Sequence, residues 1–407
     1  MWAPNGARPD DRVTAPAPSG SRPRGLILLL VHAVCVQLVS YGLRPAISFE
    51  ILQLGLDAAW LGIAATAFAL PPLLLALPSG RIVDRLGERG MLVTGGLTLA
   101  AAAVVTVSFS SHVIGLIIAT ALLGLGVLFS VVGEQSWVMR GAVDGRLDST
   151  FGVYTFATSA GQMLGPVLLL LPGSVGTPSL RLVAISTLCM AVIAVALSIG
   201  IRSVAVAPRA KGRRATDDGI LSLLRRPGVP SALIASSIVL TSLDLVMAYL
   251  PLLADERGIA TVWVSAFLVA RGAATMASRL CLGRLTRRFG RRLVLIVGGA
   301  VAAASLSVLA FPVVPIALVA AGTVYGLAAG TAQPLTMSWM TLVTARERRG
   351  TAASLRLIGN RVGQTVIPLA AAGVSTVIGA AGVFAVTGAA LVISATMSRA
   401  APNGSSK

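Results

Sequence analysis

The sequence predicts an all-α membrane protein of twelve transmembrane helices in two pseudo-symmetric six-helix bundles, on three observations. Composition is the first: of 407 residues 55% are hydrophobic and 12% charged, with mean hydropathy +0.86, whereas soluble domains carry about 25% charged residues. The second is that apolar runs of about 20 residues, enough to cross a hydrocarbon core of about 30 Å, recur twelve times. The third is a repeat at half the chain length. No long segment alternates polar and apolar residues, so a β-barrel is excluded.

In chain order, residues 1–24 are rich in Pro, Gly, Ser and Arg and read as a disordered tail. The first span, 25–47, is read as uncleaved, since no small-residue cleavage site follows a short apolar core. Spans follow near 58–79, 90–109, 113–136, 150–171 and 180–201, completing an N-terminal bundle over 25–201. A basic linker, 202–230, leads to spans near 231–253, 260–281, 293–311, 313–337, 351–374 and 378–398, a C-terminal bundle over 231–398, with a tail at 399–407. Abundant Gly and Pro suit this reading, because small residues let membrane helices approach closely and neighbours satisfy freed backbone groups. Cys35, Cys189 and Cys281 all lie in apolar runs without metal-ligand or redox spacing, and are expected to be buried small hydrophobes.

The net charge of +18 raises the possibility of a nucleic-acid partner, but 26 of the 33 lysines and arginines fall in the two tails, the linker and the loops on one side of the spans. That distribution is topological. Both termini and the linker are expected in the cytoplasm, with the protein in the inner (plasma) membrane. Arg181 and Arg257 mark the opposite side, while Arg44, Arg271, Arg279, Arg356 and Arg361 lie within the spans or at their edges.

The repeat is explicit. "GRIVDRLGERG" from Gly80 aligns with "GRLTRRFGRRL" from Gly283 at an offset of 203 residues, and "GQMLGP" at 161–166 aligns with "GQTVIP" at 363–368 at 202. "GLG" at 124–126 matches "GLA" at 326–328. The chain is thus expected to hold two parallel halves.

With these motifs the chain resembles a major facilitator superfamily transporter along nearly all its length. Gly80, Asp84, Arg85, Gly87 and Arg89 match the family's loop between helices 2 and 3, G-x-L-a-D-R-x-G-R-K, with Ile82 for the leucine and Glu88 where a basic residue is expected. The second copy has Arg287 in place of the aspartate. The resemblance implies that Asp84 gates the seam between the halves on the cytoplasmic side, against the start of helix 11, where a carboxylate gains from the helix dipole. Closest in motif are the drug:proton antiporter-like members, since Gly161, Gly165 and Pro166 keep the first part of the helix-5 antiporter pattern. The pattern then breaks at Leu169 and Leu170, and Thr120 stands where such antiporters carry an arginine in helix 4.

Polar residues inside apolar spans mark candidate sites, because an arginine at mid-bilayer costs about 2.5–3.5 kcal/mol on insertion scales. On a helical wheel Arg356, Asn360, Arg361 and Gln364 share an arc of about 140°, so helix 11 is expected to turn this face inward. Arg356, near the helix start, has the length to snorkel. In helix 7, Ser237, Thr241, Asp244 and Ala248 share a face, and Asp244 is the carboxylate near mid-membrane. Arg271 of helix 8 falls at a similar depth, so Asp244, Arg271 and Arg361 are expected to meet, either as a packing ion pair or as a substrate and proton site. Glu134 and Gln135 read as interfacial or functional, His32 as a packing or functional residue, and Arg44 with Pro45 as reaching an anion or the headgroups. Gln162 and Gln364 occupy matching positions and are expected to line a cavity.

The expected function is secondary active transport by alternating access, namely proton-coupled export of small organic or drug-like compounds, alternatively proton-coupled uptake of a small organic anion such as a carboxylate. Neither lysine, Lys211 or Lys407, lies in a Walker loop, and the two histidines form no zincin motif, so neither ATP use nor an enzyme is expected. Expected partners are a small-molecule substrate, protons and the lipid bilayer, with no cofactor, no metal, no nucleic acid and a monomeric state.

Overall fold

Inside hydrocarbon every backbone N–H and C=O has to find its partner within the chain, and a helix does so within one segment. The computed structural model describes residues 22–141, 147–172, 177–202, 222–344 and 349–402, and among these no strand occurs. The N-terminal half comprises α1 (Arg22–Gln53), α2 and α3 (the two arms of Ala59–Ser108), α4 (Val113–Gly141), α5 (Leu147–Leu164, prolonged by a 3-10 segment Gly165–Leu170) and α6 (Leu180–Gly200). The C-terminal half comprises α7 (Val229–Glu256), α8 (Thr261–Phe289), α9 (Arg291–Ser307), α10 (Pro315–Gly330 with Ala332–Val343), and α11 and α12 (the two arms of Arg349–Met397). Odd-numbered helices therefore leave the side of the bundle that holds the chain termini, and even-numbered helices return to it. Much of the expected N-terminal tail and linker lies outside the described residues.

The repeat is conformational as well as textual. α2 turns into α3 at Gly87 (φ 70°, ψ 170°), and 203 residues on, α8 turns into α9 at Gly290 (φ 76°, ψ 153°). Gly55 and Gly258, at the same offset, follow α1 and α7 with φ 69° and 62°. L-residues with a Cβ are strained at such positive φ, so both loops repeat a glycine the backbone requires.

Core packing differs between the two sides of the membrane. On the side away from the termini a single apolar cluster draws on both halves, including Leu43 and Ile47 of α1, Phe68 of α2, Tyr249 and Leu253 of α7 and Phe267 of α8. On the termini side each half has its own cluster: Leu29, Leu92, Trp137 and Tyr154 in one, Val229, Leu295, Trp339 and Met340 in the other. The helix surfaces agree, since residues 42–49 of α1 and 244–254 of α7 are buried all round, whereas the opposite ends alternate buried and exposed positions. The halves are thus pressed together on the far side and separately cored on the termini side.

The bundle exterior is apolar, with Leu74, Ile114, Ile316 and Val377 exposed as a bilayer requires. This corrects the expectation for two cysteines. Cys35 is buried, but Cys189 and Cys281 are exposed, because an apolar residue in a span has a lipid face available as well as a core.

Candidate functional site

The far-side seam is built from glycines and short polar residues. A Cβ at Gly62 of α2 would stand 2.5 Å from the Pro368 carbonyl and 2.7 Å from the Tyr249 hydroxyl, so α2 meets α7 and α11 only because this position lacks one. Thr66 Oγ1 donates to the Thr365 carbonyl (3.2 Å), and Ser265 of α8 donates to the Pro166 carbonyl after α5 (2.8 Å). Gly161 and Gly165 of the helix-5 half-motif serve packing within the N-terminal half, against Val34 and Gly42 of α1. Gly363 lets α11 close on Ser237 of α7, whose hydroxyl donates to the Gly359 carbonyl (3.1 Å).

This seam brings Asp244 to the contact between halves. Its Oδ1 accepts from Arg44 Nη1 at 2.7 Å and its Oδ2 from Gln364 Nε2 at 2.6 Å, while Gln364 Oε1 accepts from Arg361 Nη1 at 3.2 Å. The Arg44 guanidinium also lies 4.1 Å from the centre of the Phe68 ring, a favourable cation–π placement. Of the two readings of Arg44 the structure corrects the second: the side chain is buried and held inside by Asp244 and Phe68, so its partner is an anionic side chain and not the headgroups. Arg361 meets Asp244 through Gln364.

Arg271 does not join that chain. It is 2% exposed, its guanidinium sits 5.4 Å from the Tyr41 ring centre, and neither Nε nor Nη2 has a hydrogen-bond partner among the described residues. The arrangement has a hidden symmetry: at the 203-residue offset Tyr41 corresponds to Asp244, Arg44 to Met247 and Phe68 to Arg271. All six gather where the halves meet, yet only one carboxylate is among them. Burial of a guanidinium without a counter-charge is costly, so this is a site with positive charge to spare.

Other expected residues fall elsewhere. Gln162 donates to Gln37 (3.3 Å) and Arg279 to Ser159 (2.6 Å), the latter joining α8 to α5. Arg356 is half-buried, and its Nη2 is held by Gln333 Oε1 at 2.6 Å and by the Gln333 carbonyl. Asn360 is buried, with Oδ1 unpartnered among the described residues. In the signature loop Arg85 and Arg89 are exposed and Glu88 is buried, while the side chain of Asp84 lies outside those described, as does Gly80's surrounding. Glu134 is not interfacial. It is fully buried within the N-terminal half against His32 and Tyr154, an arrangement sequence reading missed because the three residues lie on three helices.

The sequence model of the Major Facilitator Superfamily matches residues 29–288 and 267–404. Among solved structures, a single-site mutant of the nucleoside transporter NupG superposes with a TM-score of 0.77 at 13% identity, covering 91% of this chain and 98% of that one. A POT family transporter in complex with a thioalcohol-conjugated peptide gives 0.74 at 14% identity, covering 92% and 95%. Among curated proteins none matches the sequence. The repeated six-helix halves and the match along the chain agree: this is a multi-pass membrane transporter, not an enzyme, and it belongs to the Major Facilitator Superfamily.

Proposed function

We propose that the protein is a proton-coupled symporter that takes up a small organic anion, such as a carboxylate, by alternating access at the Arg44–Asp244–Gln364–Arg361 network and Arg271. The observation that carries this reading is Arg271, a buried guanidinium with two N–H groups unpartnered at the junction of the halves. An anionic group supplies what it lacks, charge and two acceptors together.

Coupling follows from competition. Asp244 and a substrate carboxylate are alternative partners for the same guanidiniums. Protonating Asp244 frees Arg44, and through Gln364 also Arg361, so the proton and the anion bind together. With the basic loops in the cytoplasm by the positive-inside rule, closure of the far side corresponds to an inward-facing state. When the halves part on the far side Arg44 withdraws with α1, and a proton on Asp244 removes the penalty of a buried unpaired charge. Export of drug-like compounds, expected from the helix-5 half-motif, draws on the close α5–α1 seam at Gly161 and Gly165, which equally suits a bundle without antiport.

The test is binding of a panel of carboxylates and lipophilic cations to the purified protein in nanodiscs. Carboxylates should bind and Arg271→Gln should weaken them at least about tenfold, the scale of one lost charge-assisted contact. Cation binding that survives Arg271→Gln unchanged refutes the reading.

A further inference from the structure

His32, Glu134 and Tyr154 form a buried titratable group that the anion site does not use. His32 (α1) and Glu134 (α4) are both 0% exposed, with His32 Nδ1 2.7 Å from Glu134 Oε1, and Tyr154 (α5) donates its hydroxyl to Glu134 Oε2 at 2.9 Å. At 2.7 Å an imidazole nitrogen and a carboxylate oxygen cannot face each other with lone pairs alone, so one proton lies between them. The other ring nitrogen, Nε2, is buried and has no partner among the described residues.

We infer that His32 and Glu134 form a proton-binding site in the N-terminal half, separate from the Asp244 site, in which a second proton enters at His32 Nε2. Two states compete there. With one proton the pair carries a net negative charge out of water, which is unfavourable; with two it is a neutral-sum ion pair whose Nε2–H lacks an acceptor. Neither state satisfies every group, so the geometry leaves room for a proton to enter or leave at Nε2. The helices packed around the pair bring few other titratable or charged groups: Cys35 one turn along α1, Glu88 one turn from Leu92 on α3, Tyr154 on α5, and Arg202 beyond Ile201 at the end of α6. Trp137 closes the site towards the termini side, its Nε1 donating to the Arg202 carbonyl (3.1 Å) and its ring against Gly25, where a Cβ would stand 3.0 Å away.

The chain has two histidines, so nitrogen-15 histidine NMR of the His112→Asn protein in nanodiscs reads His32 alone. His32 should change protonation between about pH 5 and 8, the range open to imidazole. Glu134→Gln should weaken that proton affinity at least about tenfold, because the neighbouring carboxylate favours the imidazolium. If Glu134→Gln does not insert, Tyr154→Phe removes only the donor to Oε2 and should tighten proton binding instead. Asp244→Asn should leave the titration in place, which separates this site from the anion-coupling one whatever transport shows. A His32 ring fixed in one protonation state across the range, or a midpoint unmoved by Glu134→Gln or Tyr154→Phe, overturns the inference.

Discussion

Replacing Asp244 with Asn leaves shape nearly unchanged and deletes the charge that Arg44 and Gln364 hold. Asn Oδ1 still accepts from Gln364, but its NH₂ then faces the Arg44 guanidinium, donor against donor. Both side chains of the ion pair are almost fully buried, at 7% and 10% exposure, so solvent screens the loss weakly. Removing one member of a buried pair costs about 3–5 kcal/mol. Because this pair closes only when the halves meet on the far side, the loss falls on one conformation and shifts the equilibrium by about 10²–10⁴-fold. The assay is an inter-label distance between cysteines introduced at Met139 and Leu342, exposed positions at the termini-side ends of α4 and α10 that are 203 residues apart, with native cysteines replaced. Asp244→Asn should move the population to the shorter distance as the termini side closes, and should abolish gradient-driven accumulation while keeping exchange at zero gradient. Arg44→Gln combined with Asp244→Asn should be less damaging than the sum of the single changes. An unchanged distance distribution in Asp244→Asn refutes the view that the pair locks the far side.

Gly161→Leu should destabilise the detergent-solubilised protein by more than about 1–3 kcal/mol, since a Cβ there already meets Gln37 Cβ at 2.7 Å and the Val34 carbonyl, whereas Gly152→Ala, within helix α5 and with nothing within 4 Å, should leave thermal stability unchanged or raise it by up to about 1 kcal/mol. Asp84→Asn should slow transport while leaving insertion intact, as a charge at a helix terminus is worth about 0.3–2 kcal/mol; unchanged turnover would reduce the loop to a topological turn. A reporter fused after residue 215 should behave as cytosolic, and labelling of that linker by impermeant reagents in intact cells would overturn the orientation.

The twelve spans were legible because bilayer thickness imposes a minimum apolar length on every crossing segment, and the halves because Gly87 and Gly290 have to be glycine to make the same turn. The inward polar face of α11 was legible too, since Asn360 and Gln364 are buried together. Partner choice was not. Depth along a helix suggested Asp244 with Arg271, but rotation about α1 and the approach allowed by Gly62 decide for Arg44, and neither is written in the local sequence. Glu134 and His32 lie 102 residues apart and show no shared pattern, so only the packing of α1 on α4 and α5 reveals the pair.

The coupled movement of proton and anion is the core of this account, and simultaneous recording of both fluxes in proteoliposomes tests it most directly. Vesicles loaded with a pH indicator and given a labelled carboxylate gradient, at zero membrane potential and equal starting pH, should acidify inside as the anion enters. Asp244→Asn should carry the anion with no accompanying acidification. Carboxylate entry without proton entry in the unmodified protein, or proton movement in the opposite direction, contradicts the account.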